Sequence, residues 1–347
     1  MKKYFFMAVA ALATLTACQP GDEPQTIVQT REIQFATAEL TRATEVVDVT
    51  AETLKTSGFA VWGYMGSSSI FDATVVAHNS TNNTLTNLGH TETADAFSPA
   101  SAADVKYWSA GQTYMFTAMA PSSLKEKYTY DASFNQKITG FENTDGQVDL
   151  VVSQPAQVIL ASNATQNAAV GLHFNHMLSR VRFSFTNTFD DNDVKIEIRN
   201  IKIENTPTSG DATIVYDLDA KTNTVSWTTT GTNELNFFDT KDELLLNVPS
   251  LSNNVGTSVY RYVIPGENNY TIAFDLVAKA NEQIIAQKTY TGVTLPTDKQ
   301  STFAPGVSYI FNANIAADKV GNIYPIEWTV TVQDWGKDQD GGDISLN

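Results

Sequence analysis

The chain has 347 residues, 42% of them hydrophobic, and a formal net charge of −16 at pH 7. Because so acidic a surface repels phosphate backbones, nucleic acid is not expected as a partner. The chain has one cysteine, which excludes an intramolecular disulfide, so its stability must come from burial. A chain of this length is expected to divide into two domains.

The N-terminal residues have the pattern of an export signal. Two lysines precede an apolar run over residues 4–13, and residues 15–17 lead directly into Cys18. A lipidating enzyme needs such a short hydrophobic segment, small residues before the cut, and a thiol that accepts a diacylglycerol. We therefore predict that residues 1–17 are a lipoprotein signal peptide and that Cys18 is lipidated, with a plain secretory signal as the alternative.

The next residues predict a tether and a location. The sequence QPGDEP at 19–24 is polar and contains two prolines, which favours an extended linker. Its acidic pair, Asp22 and Glu23, resembles the signal that sends lipoproteins of Bacteroidales to the outer face of the outer membrane. We expect a cell-surface lipoprotein, although the same residues would also suit an ordinary linker on a protein that faces the periplasm.

The rest of the chain alternates apolar and polar residues with a period of two, which predicts an all-β protein. Residues 181–186, 270–276 and 309–315 show this pattern most clearly. The alternation slips by one residue at 199–200, as a β-bulge or a change of sheet requires. Turn-forming residues at 217–223 predict a hairpin. Residues 98–105 form the one stretch that we expect to be a short helix.

Six short segments are similar to a known family. They are GFAVWGY (58–64), YWSAGQTYMFTA (107–118), DLVV (149–152), GLHFNHMLSR (171–180), FAPGVSY (303–309) and VQDW (332–335). In this order they resemble the Mfa-like fimbrillins, the superfamily of type V pilus proteins of Bacteroidales. The resemblance spans nearly the whole chain after the signal. It implies two transthyretin-like β-sandwich domains of Greek-key type in tandem, which we place at 42–171 and 172–347.

The resemblance also implies a maturation step. In that family an arginine-specific protease removes the lipid and a first strand, and another subunit inserts a strand into the groove that is left. The matching bond here joins Arg42 to Ala43, and Arg31 is a second candidate. We assign residues 18–41 to the tether and the removable strand, in which Ile33 and Phe35 alternate with polar residues. Unpaired backbone groups and an open apolar groove would favour addition of a strand.

The strand donated to the next subunit is expected from the C-terminal segment. Trp328, Val330 and Val332 alternate there with threonines, although the same pattern would suit the last strand of the chain's own domain. The implied partners are other fimbrial subunits of the same or a different kind, and a host or bacterial surface ligand. The residues leave open whether the chain is a stalk, tip, anchor or accessory subunit.

No enzyme motif is present, and we predict neither catalysis nor a cofactor. The sequence has no Gly-x-Ser-x-Gly elbow and no glycine-rich phosphate loop. His173 and His176, three residues apart on a strand, would point to opposite faces and are not expected to bind a metal. By the resemblance they pack at the domain junction. The acidic runs at 190–193 and 338–343 fit a turn and a solvated tail better than cation sites.

The main rival hypothesis is a monomeric surface lipoprotein that binds glycans through exposed aromatic rings. The candidate residues for such a platform are Trp62, Tyr64, Tyr107, Trp108 and Trp227. Aromatic residues on the strands of a sandwich usually fill its core instead. We therefore favour a subunit of a surface fimbria that supports adhesion.

Overall fold

The structure is a computed structural model, and its regular elements are almost all β-strands. The residues that it describes are 31–38, 49–79, 85–87, 90–92, 96–162, 169–189, 193–217, 222–238, 243–251, 253–267, 269–295, 302–316, 328–334 and 344–346. The prediction of an all-β protein is confirmed.

Within the described ranges, twelve strands precede residue 177 and thirteen follow it. The first group is β1 (Phe35–Ala38), β2 (Phe59–Met65), β3 (Ser68–Asn79), β4 (Leu85–Asn87), β5 (His90–Glu92), β6 (Ala96–Pro99), β7 (Thr113–Ala120), β8 (Tyr128–Tyr130), β9 (Gln136–Glu142), β10 (Val151–Ser153), β11 (Ala156–Ile159) and β12 (Val170–His176). The second group is β13 (Ser179–Asn187), β14 (Val194–Asp217), β15 (Thr222–Asn236), β16 (Glu243–Leu246), β17 (Val255–Thr257), β18 (Arg261–Val263), β19 (Gly266–Glu267), β20 (Thr271–Ala280), β21 (Gln283–Thr294), β22 (Thr302–Phe303), β23 (Val307–Ile315), β24 (Trp328–Asp334) and β25 (Ile344–Leu346). The helical elements are α1 (Ala51–Ser57) and two 3-10 helices, Ala102–Asp104 and Ser122–Lys127.

The first sheet closes on itself. Its hydrogen-bonded order is β10, β12, β1, β6, β3, β2 and β7, and β7 pairs again with β10 through Val151 and Val152. β11 continues the pairing of β7 beyond this seam. Two tandem transthyretin-like sandwiches are therefore not confirmed, because the two edges of the first sheet meet instead of facing a second sheet. The domain boundary placed between residues 171 and 172 falls within β12 and stays a prediction.

Two further sheets, of six and seven strands, contain most of the remaining strands. One has the order β17, β13, β23, β24, β25, with β18 also on β13. The other has the order β21, β20, β14, β9, β8, with β15 and β16 also on β14. β14 is 24 residues long, so its first part pairs with β20 and its second part with β9. Strands from both halves of the chain therefore share one sheet.

Three apolar clusters form the core. One fills the closed sheet, and a second lies between the six-stranded and the seven-stranded sheet. A third packs the outer face of the closed sheet against β8, β9 and β14. β2 contributes to two of them, because Phe59 and Val61 point into the closed sheet while Ala60 and Trp62 point outward into the third cluster. A strand buried on both faces reads as a continuous apolar run.

A buried polar cluster links the closed sheet to the third cluster. The Tyr128 hydroxyl donates to Oε1 of Gln136 at 2.8 Å and lies 3.1 Å from Oγ1 of Thr117. Oγ of Ser153 accepts the Ala118 N–H at 2.8 Å, beside the seam between β7 and β10. Burial raises the pKa of Tyr128 well above its ordinary value, so the hydroxyl keeps its proton and remains a donor.

Two local predictions are confirmed. The pairing of β14 with β20 shifts between Arg199 and Lys202, and Asn200 takes a φ of 52°, as a bulge at 199–200 requires. β14 and β15 pair antiparallel up to Asp217 and Thr222, which is the predicted hairpin.

The helix prediction is confirmed in part. Residues 98–105 contain a short 3-10 helix, Ala102–Asp104, but the α-helix α1 lies where none was predicted. Its start is a capping box in which Thr50 accepts the Thr53 N–H at 3.1 Å and the Thr53 hydroxyl accepts the Thr50 N–H at 2.6 Å. Threonine stands where the usual sequence signature of this motif has Glu or Gln, so the signal was missed.

Gly58 ends α1 and offers a stability test. Its φ is +66°, and a Cβ there would lie 2.3 Å from the Val76 carbonyl oxygen. We expect Gly58→Ala to lower the free energy of unfolding by about 2 kcal/mol or more, since backbone strain and a clash add together. Gly66→Ala is the matched control, because φ is +59° and nothing lies within 4 Å. Urea unfolding that gave equal losses for both variants would contradict the steric argument.

Candidate functional site

The first strand is an internal strand of the closed sheet. β1 pairs in parallel with β12, from Phe35 beside Val170 to Ala38 beside His173, and antiparallel with β6. Each side of β1 is therefore occupied by a neighbour, although β1 comes from the N-terminal end of the described chain. Its withdrawal would open the closed sheet and leave β6 and β12 as facing edges.

Two apolar side chains anchor this strand. Ile33 and Phe35 are both 0% exposed and belong to the cluster inside the closed sheet. The Phe35 ring makes edge contacts with Phe71 and Phe116, with ring centroids 5.5 and 5.4 Å apart. Without β1 these two positions would become an apolar groove that favours an extended strand with the same two-residue spacing.

The residues before β1 are also paired. The Arg31 carbonyl accepts the Trp108 N–H at 2.9 Å, and the Ile33 N–H donates to the Lys106 carbonyl at 2.8 Å. Between them Glu32 and Tyr107 form an antiparallel bridge. The bond that follows Arg31 is therefore held in a β-ladder. The other predicted processing and lipidation residues, Arg42, Ala43 and Cys18, lie outside the described residues.

Downstream of Arg42 the chain is fastened by a buried carboxylate. The Val49 N–H donates to Oδ2 of Asp149 at 2.7 Å, and Oδ1 of Asp149 lies 3.0 Å from Nδ1 of His176. The side chains of Asp149 and His176 are 0% and 3% exposed. In the sequence Asp149 stands out only as part of a family motif, and its contact with Val49 was not predicted. Its one local signal is an acidic residue placed directly before the buried run 150–152.

The two histidines lie on opposite faces of β12, as expected. His176 is buried and His173 is exposed. Within the ranges that the structure describes, no group of three or more His, Cys, Asp or Glu side chains is placed to hold a metal ion. The acidic tail at 338–343 and residues 190–192 lie outside those ranges.

The C-terminal strand β24 pairs within its own chain. It runs antiparallel to β23 on one side and to β25 on the other. Its three predicted donor side chains, Trp328, Val330 and Val332, are half-buried against the second core cluster. Such a strand must leave these neighbours before it can pair with another subunit.

The five aromatic residues of the glycan hypothesis do not form a surface platform. Trp62 and Trp108 are 3% and 5% exposed, in two different core clusters. The half-buried Trp227 donates its indole N–H to the Met177 carbonyl at 3.0 Å, and the Tyr64 hydroxyl donates to the Tyr130 carbonyl at 3.2 Å. Only Tyr107 of the five is largely exposed, at 56%.

Fold and site together define an all-β protein whose first sheet is completed by a strand from the N-terminal end. The fimbrillin-like family model matches residues 41–335, and the chain belongs to this family. The predicted resemblance is therefore confirmed.

Several solved structures are similar to this chain. A fimbrial protein from Bacteroides vulgatus is 15% identical, with 88% of this chain and 99% of that chain covered and a TM-score of 0.57. A putative cell adhesion protein from Bacteroides uniformis is 13% identical, with coverages of 90% and 100% and a TM-score of 0.46. The fimbrial anchor protein Mfa2 from Porphyromonas gingivalis is 12% identical, with coverages of 88% and 98% and a TM-score of 0.32. No curated protein matches the chain in sequence.

Among the described residues no helix is both long enough and apolar enough to span a bilayer.

Proposed function

We propose that this chain is a subunit of a surface fimbria that is activated by removal of its first strand. Cleavage between Arg42 and Ala43 separates β1 from the rest of the fold, and a strand of another subunit then occupies the groove. The observation that carries the proposal is the place of β1: an internal strand of a closed sheet, with Ile33 and Phe35 fully buried. Its loss exposes both backbone groups and apolar surface to a new partner.

The pairing of residues 31–33 favours Arg42 over Arg31 as the processing site. Cleavage after Arg31 would require the Glu32–Tyr107 bridge to open and the buried Ile33 to leave the core. It would also leave β1 attached to the folded chain, so the groove would stay filled. Cleavage after Arg42 requires neither the bridge to open nor Ile33 to leave the core. It also breaks the covalent link between β1 and the rest of the chain.

The remaining parts of the proposal concern the anchor and the donor. Before processing, a lipid on Cys18 holds the chain at the outer face of the outer membrane. After processing, the segment with Trp328, Val330 and Val332 leaves β23 and supplies the inserted strand. Its alternation matches the spacing of Ile33 and Phe35. Partners are other fimbrial subunits and an adhesion ligand on a host or bacterial surface.

Digestion of the unlipidated precursor with an arginine-specific protease tests the proposal. We expect a new N-terminus at Ala43 and a ladder of multimers on a gel run without boiling. Arg42→Ala should abolish both, while Arg31→Ala, the matched control, should behave as the unaltered chain. A chain that ends at residue 327 should be cleaved but form no ladder. A ladder that persists in the Arg42→Ala variant would refute the proposed trigger.

A further inference from the structure

The processing segment has two fixed ends at the same side of the closed sheet. β1 ends at Ala38, which is paired with His173. The chain returns at Val49, which is bound to Asp149 beside His176. Three residues of a strand span about 10 Å, so the two ends are held near one another on β12. Residues 39–48, which contain Arg42, connect these ends.

The end at Val49 is held by a buried acceptor rather than by a strand. The Asp149 carboxylate is fully buried, and one oxygen takes the Val49 N–H while the other faces His176. A hydrogen bond to a buried carboxylate is stronger than a bond between neutral groups. Withdrawal of Val49 would also deprive a buried carboxylate of one donor, which is unfavourable.

The residues that follow Val49 need such an attachment. α1 has only seven residues, which is too short for a stable helix by itself, and Leu54 is the one buried side chain among those described from Glu52 to Ser57. After cleavage at Arg42 the new N-terminal end of the chain, before Val49, would no longer be connected to β1. Without the bond to Asp149, fraying could therefore continue through α1 as far as Gly58.

We infer that Asp149 and His176 form a positioning site that fastens the chain at Val49 and limits strand release to the residues before it. Asp149 binds the backbone directly, and His176 orients the carboxylate. The biological meaning of this site rests on the proposed cleavage, but the fastening itself exists in the uncleaved chain. The site therefore marks the boundary between the strand that leaves after cleavage and the chain from Val49 onward that stays folded.

Amide hydrogen exchange in the uncleaved precursor tests the fastening. The reporter is the Leu54 N–H, which donates to the Thr50 carbonyl at 2.9 Å in the first turn of α1. We expect Asp149→Ala to accelerate its exchange roughly tenfold or more, the factor that corresponds to the loss of one hydrogen bond to a charged group. Asp149→Asn keeps an acceptor oxygen and should retain most of the protection. Asp145→Ala, an exposed acid on the same loop, should change nothing.

Val49→Pro is a second variant that leaves Asp149 and His176 intact. It removes the donated N–H together with the packing of the Val49 side chain against the cluster inside the closed sheet, so it should accelerate Leu54 exchange at least as much as Asp149→Ala does. Val49→Ala keeps the N–H and loses only that packing, so it should accelerate the exchange less, and the pair carries the test if Asp149→Ala fails to fold. Leu276 in β20 is the remote reference. Unchanged Leu54 exchange in the Asp149→Ala and Val49→Pro chains, or equal acceleration at Leu54 and Leu276, would overturn the inference.

Trypsin digestion tests the consequence after cleavage. Lys55 lies in the last turn of α1. We expect the Asp149→Ala and Val49→Pro chains to gain an N-terminus at Thr56 at least about tenfold faster than the unaltered and Asp145→Ala chains. Equal rates in all four chains would overturn the inference. Should Arg42 resist cleavage while Leu54 exchange changes as expected, the fastening stands and the proposed processing fails.

Discussion

Phe35→Ala in the intact precursor is expected to lower the free energy of unfolding by about 3–5 kcal/mol. The Phe35 ring is fully buried and packs edge-on against Phe71 and Phe116, so truncation leaves a cavity inside the closed sheet. Urea unfolding monitored by tryptophan fluorescence measures the loss. Ile159→Ala, at a β-strand residue that is 69% exposed, should stay within about 0.5 kcal/mol of the unaltered chain.

The same variant separates a structural role of Phe35 from its proposed removal. If β1 leaves after cleavage at Arg42, the cleaved Phe35→Ala and unaltered chains have the same remaining sequence and must unfold alike. A difference in stability that survives cleavage and purification would mean that β1 stays bound, and the proposed groove would not form.

A peptide with the sequence of residues 31–40 is expected to block assembly. Added in large molar excess during cleavage, it should refill the groove through Ile33 and Phe35 and remove most of the multimer ladder. A peptide with Phe35→Asp should have no effect, since a carboxylate would be buried without a partner in an apolar site. The measurement is the intensity of the ladder on a gel run without boiling. Equal inhibition by both peptides would contradict insertion at this groove.

The all-β class was predictable because most strands have one face in a core and one in solvent. β13 shows this in full, with Val181, Phe183 and Phe185 buried and the residues between them partly exposed. The bulge near Asn200 and the hairpin of β14 and β15 were predictable for the same reason. Each is predicted by a pattern that lies within a few residues of sequence.

The closed sheet and the fastening of Val49 were not predictable, because they depend on contacts between distant residues. Val151 and Val152 look like any apolar pair, yet they bond to both β7 and β12 and close the sheet. Val49 and Asp149 are 100 residues apart. The burial of Trp62 was expected, but the layer of β8, β9 and β14 that covers it depends on such distant contacts too.

The length of β14 has a mechanical consequence for the chain. This one strand is bonded to β20 over its first part and to β9 and β15 over its second, so it crosses from one core cluster to another without a hinge. Force applied along its axis would load many ladder hydrogen bonds at once in shear, instead of opening them singly from one end. The two halves of the chain would then resist traction together, through the ladders of this one strand.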